Sequence, residues 1–259
     1  VGTGDATAAL IPEGSIGHAR VIARERAVVC GVRWCEEVFH HLDPLASLEW
    51  HARDGDLVRP DQAVCEIRGQ ARSLLTGERT ALNFLQMLSA VATQTRRFVD
   101  AVAGTSAAIL DTRKTIPGLR HALKYAVRTG GGRNHRMGLY DGVLIKENHI
   151  HAAGGIPQVM DFARQMIKGL PIQIEVESIE QLQQAIECGG KLILLDNFDL
   201  NRLEEAVHLT AGRAELEASG GITLDNVRAV AQTGVDRISV GALTKDVRAI
   251  NLSMRFVSL

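Results

Sequence analysis

The spacing of apolar positions along this chain changes twice, and each change marks a different kind of unit. From residue 14 to about 69, short alternating segments are broken by turn residues. Residues 16–30 and 64–67 read as strands, 33–41 as a helix and Arg53-Asp-Gly-Asp56 as a turn, predicting a small α+β unit whose sheet has one solvated face. From about Thr76 the spacing becomes three or four, through Ala81, Leu82, Leu85, Leu88, Ala92 and Thr95, and predicts one long helix leading out of that unit. After Gly104 come six short apolar runs, at 107–110, 142–145, 171–174, 191–195, 214–218 and 236–240, each followed by a helical stretch. Strand then helix, six times over, implies parallel strands covered on both faces. The runs end in polar or glycine residues, and the C-terminal strand ends are where an α/β barrel keeps its chemistry. A full eight-stranded barrel takes roughly 250 residues, more than the segment 104–248 supplies, so an incomplete barrel is expected, with an open doubly wound sheet as the rival.

Composition narrows the class without changing that picture. A chain of 259 residues with 46% hydrophobic residues can bury one sizeable core and a smaller one. No run of about 18 apolar residues occurs, so no membrane span is expected, and the first residues carry no signal-peptide pattern. Cys30, Cys35, Cys65 and Cys188 lack zinc-site spacing and are expected to be reduced packing residues of a cytoplasmic protein. Charge is the informative part: residues 111–149 hold eight Lys and Arg against three acids, whereas the whole chain has 29 basic and 30 acidic side chains. A focused positive field in a near-neutral protein points to small, highly charged anions and away from nucleic acid.

The strand ends supply candidates. Ser219-Gly-Gly221 and Gly241 follow the last two runs, where barrels often hold a phosphate on bare backbone N–H groups. Glu175 and Asp196 end adjacent runs and would face one mouth, where paired carboxylates bind a divalent metal, hold ribose hydroxyls or stabilise a developing cation. The alternative is that they neutralise Lys146 and nearby arginines. Glu177 is a third possible acid on the same side of its strand. Lys146 ends an apolar run and could be a Schiff-base nucleophile or a permanent cation for an anionic substrate. His135, His149 and His151 lack the spacing of a helical zinc site and suit hydrogen bonding better. Arg120, Lys124 and Arg128, four apart, read as one solvated or substrate-edge helix face. Gly130-Gly-Gly132 reads as a flexible loop carrying Arg133 to Arg136 over the site.

Four motifs then bring a resemblance. Asp111-Thr-Arg-Lys-Thr-Ile-Pro-Gly-Leu-Arg120, Gly132-Arg-Asn-His-Arg136, Leu144-Ile-Lys-Glu-Asn-His149 and Glu78-Arg-Thr-Ala-Leu-Asn83 resemble the quinolinate phosphoribosyltransferases, over nearly the whole chain. The resemblance implies an incomplete α/β barrel at 82–248 and a smaller N-terminal α+β sandwich domain at 1–81 completed by 249–259. It implies transfer of phosphoribosyl from phosphoribosyl pyrophosphate to quinolinate with loss of CO2, giving nicotinate mononucleotide and pyrophosphate, in a cytoplasmic homodimer with shared sites. By the same resemblance Arg113, Lys114, His135 and Arg136 hold the dicarboxylate, with Lys146 nearby and Arg79 reaching in from a partner subunit. Ser219, Gly220, Gly221 and Gly241 take the 5′-phosphate, and Glu175 and Asp196 face the ribose with Mg²⁺. Three rivals stand beside this reading: a molybdenum-transport-associated relative of the same fold, a lyase using Lys146, and a non-catalytic ligand-binding or interaction protein built on the same barrel.

Overall fold

The computed structural model describes residues 1–258. In chain order its strands and main helices are β1 (Ile16–Ala23), β2 (Ala27–Val28), α1 (Val32–Leu42), β3 (Ser47–Trp50), β4 (Leu57–Val58), β5 (Ala63–Gln70) and α2 (Ala71–Ala101). There follow β6 (Ala108–Leu110), α3 (Arg120–Thr129), β7 (Val143–Ile145), α4 (Glu147–Ala153), α5 (Ile156–Met166), β8 (Ile172–Val176) and α6 (Ile179–Glu187). The chain closes with β9 (Leu192–Asp196), α7 (Leu200–Thr210), β10 (Glu215–Ser219), α8 (Val227–Gln232), β11 (Arg237–Ser239), α9 (Ala242–Lys245) and β12 (Leu252–Ser258). It divides into two compact units: the first takes residues 1–96, 128–130 and those from Asp246 on, the second 97–127 and 131–245.

The first unit is built on a four-stranded antiparallel sheet in the order β12-β1-β5-β3. Strand β1 shows why: Gly17, Ala19, Val21 and Ala23 are buried while His18, Arg20 and Ile22 alternate with them half-exposed. The strand expected at 16–30 is two strands, because Arg24-Glu-Arg26 interrupts it and Arg24 turns to Asp61 and Ser253. Strands β3 and β4 are four and two residues long, too short to show a period. Helix α2 starts at Ala71, five residues before the periodicity suggests, because Ala71 and Leu74 are already fully buried. Leu74, Leu82 and Leu85 join Val21, Phe39 and Ile67 in one core, each contributing about 1.5–3 kcal/mol by burial.

All six strands of the second unit run parallel, in the order β6-β11-β10-β9-β8-β7. The first strand of this unit therefore pairs with its last, as in a barrel; a doubly wound sheet would instead reverse direction at a switch point. β6 and β7 are left as edges, so the barrel is incomplete, as expected. Part of the seam beside β6 is covered by the chain at Arg133, which forms a parallel bridge with Leu110 and backbone hydrogen bonds to Ile109 and Asp111. This rudimentary strand carries Asn134, His135 and Arg136 toward the interior.

The glycine run before it is not a flexible lid hinge. A Cβ at Gly130 would lie 2.6 Å from Thr95 Cβ and collide with the Ala92 carbonyl; Gly131 has φ +94°, and Gly132 N–H donates to Val127 O at 3.0 Å. These glycines end α3, and Gly130 allows a close packing that no larger residue would permit. Cys30, Cys35 and Cys65 are buried and Cys188 partly so, and burial, with neighbouring acids, pushes the Cys30 and Cys65 thiols up to about 12. Among the described residues no helix is long and apolar enough to cross a membrane.

Candidate active site

The C-terminal ends of the barrel strands surround a cavity of about 540 Å³. One wall is cationic. Arg113 and Lys114 follow β6, and Arg136 follows the seam segment, donating from its guanidinium to Gly142 O at 3.2 Å. Burial, and then the adjacent Arg113 charge, pull Arg136 below its ordinary pKa while Asp141 opposes them. The buried Arg113 Nε has no hydrogen-bond partner among the described residues. Two guanidiniums that destabilise each other, with a donor unused, are ready for an anion able to take both.

What holds this wall is a buried ion pair. Lys124 and Asp111 have fully buried side chains 2.5 Å apart. The Lys124 ammonium also donates to His135 O at 2.7 Å and Arg136 O at 3.0 Å, so its three protons are all used. Asp111 accepts in addition from His135 N at 2.9 Å and Asn134 Nδ2 at 2.5 Å. Burial pushes the Asp111 carboxyl up and the Lys124 ammonium down, and their mutual hydrogen bond and attraction oppose both. Lys124 is therefore not part of a solvated helix face. Arg128 is exposed, and Arg120 is half-buried against Thr115, Met137 O and Arg113 O.

The facing wall is acidic. Lys146 Nζ lies 2.9 and 2.7 Å from the two Glu175 oxygens, so this lysine is a paired ammonium. His149 Nδ1 accepts from Lys146 N at 3.0 Å, helping to fix the strand end that carries it. Asp196 accepts from Asn197 Nδ2 at 2.8 Å. The third acid of the cavity is Glu217 from β10; Glu177 lies outside it, exposed beyond the end of β8. Glu217 is fully buried, with one oxygen unpartnered and the other accepting from Gln173 Nε2 at 3.0 Å.

Ser219, Gly220 and Gly221 form the remaining edge. Gly220 has φ +99° and Gly221 φ +61°. A Cβ on Gly220 would strike the Asn197 side chain, so only glycine fits. Asn197 is itself left-handed at φ 55° and donates its N–H to Ser219 O at 2.9 Å, locking this turn to the end of β9. Gly241 is not among the lining residues but packs on Lys114, where an added Cβ would sit 3.3 Å from Lys114 Cδ.

Most of the expected site residues thus come together: Arg113, Lys114, His135, Arg136, Lys146, Glu175, Asp196, Ser219, Gly220 and Gly221 share the cavity. Arg79 is exposed on α2 in the first unit, outside the lining, and His149 and His151 also lie outside it. Glu217, Ser239, Asn197 and Thr112 line the cavity but escape the sequence reading. A signal for Glu217 and Ser239 existed in the two-residue period within the runs, since Glu215, Glu217 and Ser219, or Arg237 and Ser239, put polar side chains on one face of a strand. Among the described residues no group of three or more His, Cys, Asp or Glu could hold a metal ion unaided. Both Glu175 oxygens are occupied by the Lys146 ammonium, so a Mg²⁺ ion, which keeps several waters, would draw on Asp196 and substrate oxygens and on Glu175 only where Lys146 yields an oxygen.

Comparison with known proteins gives one family. The model of the quinolinate phosphoribosyl transferase N-terminal domain matches residues 5–89, and that of its C-terminal domain residues 91–255. The chain is 42% identical over 255 residues to the probable nicotinate-nucleotide pyrophosphorylase (carboxylating) of Bacillus subtilis (strain 168), covering 98% of this chain and 88% of that protein. It is 40% identical over 273 residues to the chloroplastic nicotinate-nucleotide pyrophosphorylase (carboxylating) of Arabidopsis thaliana, covering 98% and 78%. The solved nicotinate-nucleotide pyrophosphorylase of Francisella tularensis superposes with a TM-score of 0.97 at 43% identity, covering 99% of this chain and 91% of that one.

Proposed function

This chain belongs to the quinolinate phosphoribosyltransferase family, and from that premise we propose how its cavity divides the labour of the reaction. The reaction is the decarboxylating phosphoribosyl transfer of NAD biosynthesis, from phosphoribosyl pyrophosphate to quinolinate. The observation that carries the assignment of roles is the opposition of a guanidinium wall and a carboxylate wall across one cavity, with a glycine turn at its edge.

Quinolinate bears two adjacent carboxylates, and Arg113 with Arg136 supplies planar donors for them, Lys114 and Lys146 adding charge. His135 lies in the same lining. The 5′-phosphate rests on Ser219, Gly220 and Gly221, with Gly241 keeping Lys114 close. As the pyridine nitrogen attacks C1′ and the bond to pyrophosphate breaks, positive charge grows on the ribose, where Asp196 and Glu175 stabilise it. Mg²⁺, held by Asp196 and Glu175 together with substrate oxygens, would neutralise the departing pyrophosphate. When CO2 departs, the electron pair of the broken bond stays on C2 in the ring plane, where the adjacent positive pyridinium nitrogen stabilises it, and C2 then takes a proton.

Lys146 serves here as a cation rather than a Schiff-base nucleophile, in keeping with its two hydrogen bonds to Glu175. The pairing of Arg113 with Arg136 favours a dicarboxylate over the ligand of a molybdenum-transport relative. The enzyme works in the cytoplasm as a homodimer in which Arg79 completes the neighbouring site; the exposure of Arg79 and its place outside the lining support this. Nicotinate mononucleotide and pyrophosphate formation, measured together with and without Mg²⁺, tests the reading. Product formed at equal rate without the metal would remove Mg²⁺ from it. Mixing Arg79→Ala with Lys146→Ala subunits tests the shared site: exchanged hybrids that stay inactive would refute it.

A further inference from the structure

His135 stands between two cavities. On one side lies the candidate active site; on the other, a cavity of about 410 Å³ lined by the same His135 and Arg136 together with Gln173, Leu110, Val143 and Leu192. With space behind it the imidazole is not fixed by packing, so hydrogen bonds must hold it. His135 Nδ1 lies 2.7 Å from Arg136 N, a backbone donor, and must accept. The ring proton therefore sits on Nε2 and is donated to Gln173 Oε1 at 2.8 Å. Gln173 can offer its oxygen only if its amide nitrogen points away, and that nitrogen donates to Glu217 Oε2 at 3.0 Å. A carboxylate accepts only, so Glu217 dictates which end of Gln173 faces the ring. Gln173 lines the far cavity and Glu217 the active site, so their hydrogen bond crosses the partition between the two.

We propose that Glu217 and Gln173 are positioning residues that hold His135 as its Nε2–H tautomer and, through the ring's bond to Arg136 N, fix the arginine of the dicarboxylate clamp. The placement of the ring stands on geometry alone; its effect on quinolinate rests on the function proposed above. A buried glutamate with an unpartnered oxygen 3.8 Å from the His135 ring would otherwise be a costly feature of the barrel interior.

The test uses the full chain labelled with ¹⁵N-histidine, the His135 resonances being assigned by their loss in His135→Asn. Ring nitrogen shifts at neutral pH should show a pure Nε2–H tautomer in the unsubstituted protein. Glu217→Gln frees the Gln173 amide to turn over, and Gln173→Leu removes the acceptor; in both the ring can swing away from Arg136 N, so the Nδ1–H form or averaged shifts should appear. Each should raise the KM for quinolinate about tenfold, the effect of losing one charge-assisted contact, while the KM for phosphoribosyl pyrophosphate stays within about twofold. Unchanged melting temperatures separate positioning from folding; should Glu217→Gln not fold, Gln173→Leu carries the test alone. An Nδ1–H ring in the unsubstituted protein, or a pure Nε2–H ring in both variants, overturns the proposal. A changed tautomer with unchanged quinolinate KM overturns its link to the clamp. Absence of any activity with quinolinate would instead strike the functional reading and leave the tautomer result standing.

Discussion

Replacing Lys124 by Met should unfold more of this protein than any substitution on the cavity wall. The side chain is fully buried and holds Asp111, His135 O and Arg136 O. Removing the ammonium leaves the Asp111 charge inside the barrel without its counter-ion, a change that typically costs about 3–5 kcal/mol. Two carbonyls lose donors as well, although small shifts can find them other partners. Against a whole-protein stability of about 5–15 kcal/mol, the loss is about a fifth or more of the total. Lys124→Met with Asp111→Leu should recover most of that stability, because an apolar pair of similar volume replaces an ion pair at little net cost. Binding should not recover with it, since Asp111 also ties His135 N and Asn134 Nδ2 in place. Urea unfolding and the quinolinate KM, measured on both variants, separate the two effects. A Lys124→Met protein within about 1 kcal/mol of the parent, or a double variant with normal quinolinate KM, would refute the reasoning.

Other substitutions test the remaining parts. Arg113→Lys keeps the charge but loses the planar fork, and the quinolinate KM should rise roughly 10–100-fold; near-normal affinity would show that Arg113 is not the clamp. Gly220→Ala forces a side chain into Asn197 at φ +99° and should raise the KM for phosphoribosyl pyrophosphate about tenfold or more, whereas a change below twofold would remove the turn from the phosphate site. In the first unit, hydrogen bonds from Arg20 and then His18 hold the Glu66 carboxyl below its ordinary range. A lowered folded pKa gives stability that is present above the ordinary carboxylate range and is lost as pH falls through the folded value. The melting temperature should therefore drop less between neutral pH and about pH 3 in Glu66→Gln than in the parent, and parallel curves would contradict the assignment.

The alternation at 16–23, the three-or-four spacing through Leu82, Leu85 and Leu88, and the six strand-then-helix runs were legible in the sequence because each reflects contacts between near neighbours. The same locality made Arg113, Lys114, Lys146, Glu175 and Asp196 visible, since each ends a short apolar run or lies just past it. Residues whose role depends on a distant partner were not visible. Lys124 recurs with Arg120 and Arg128 like a solvated face, and only the approach of Asp111 and the seam segment buries it. Gly130-Gly-Gly132 has the composition of a loose loop, and only the neighbouring helix backbone shows that Gly130 must lack a side chain. Glu217 and Gln173 sit in apolar runs, and although the two-residue period marks Glu217 as a polar position, only the folded sheet brings the pair together and toward His135. The sequence by itself thus determined the elements and the charges at their ends. The tertiary structure decided which of those charges are buried and paired, because burial depends on segments that the chain brings together only when it folds.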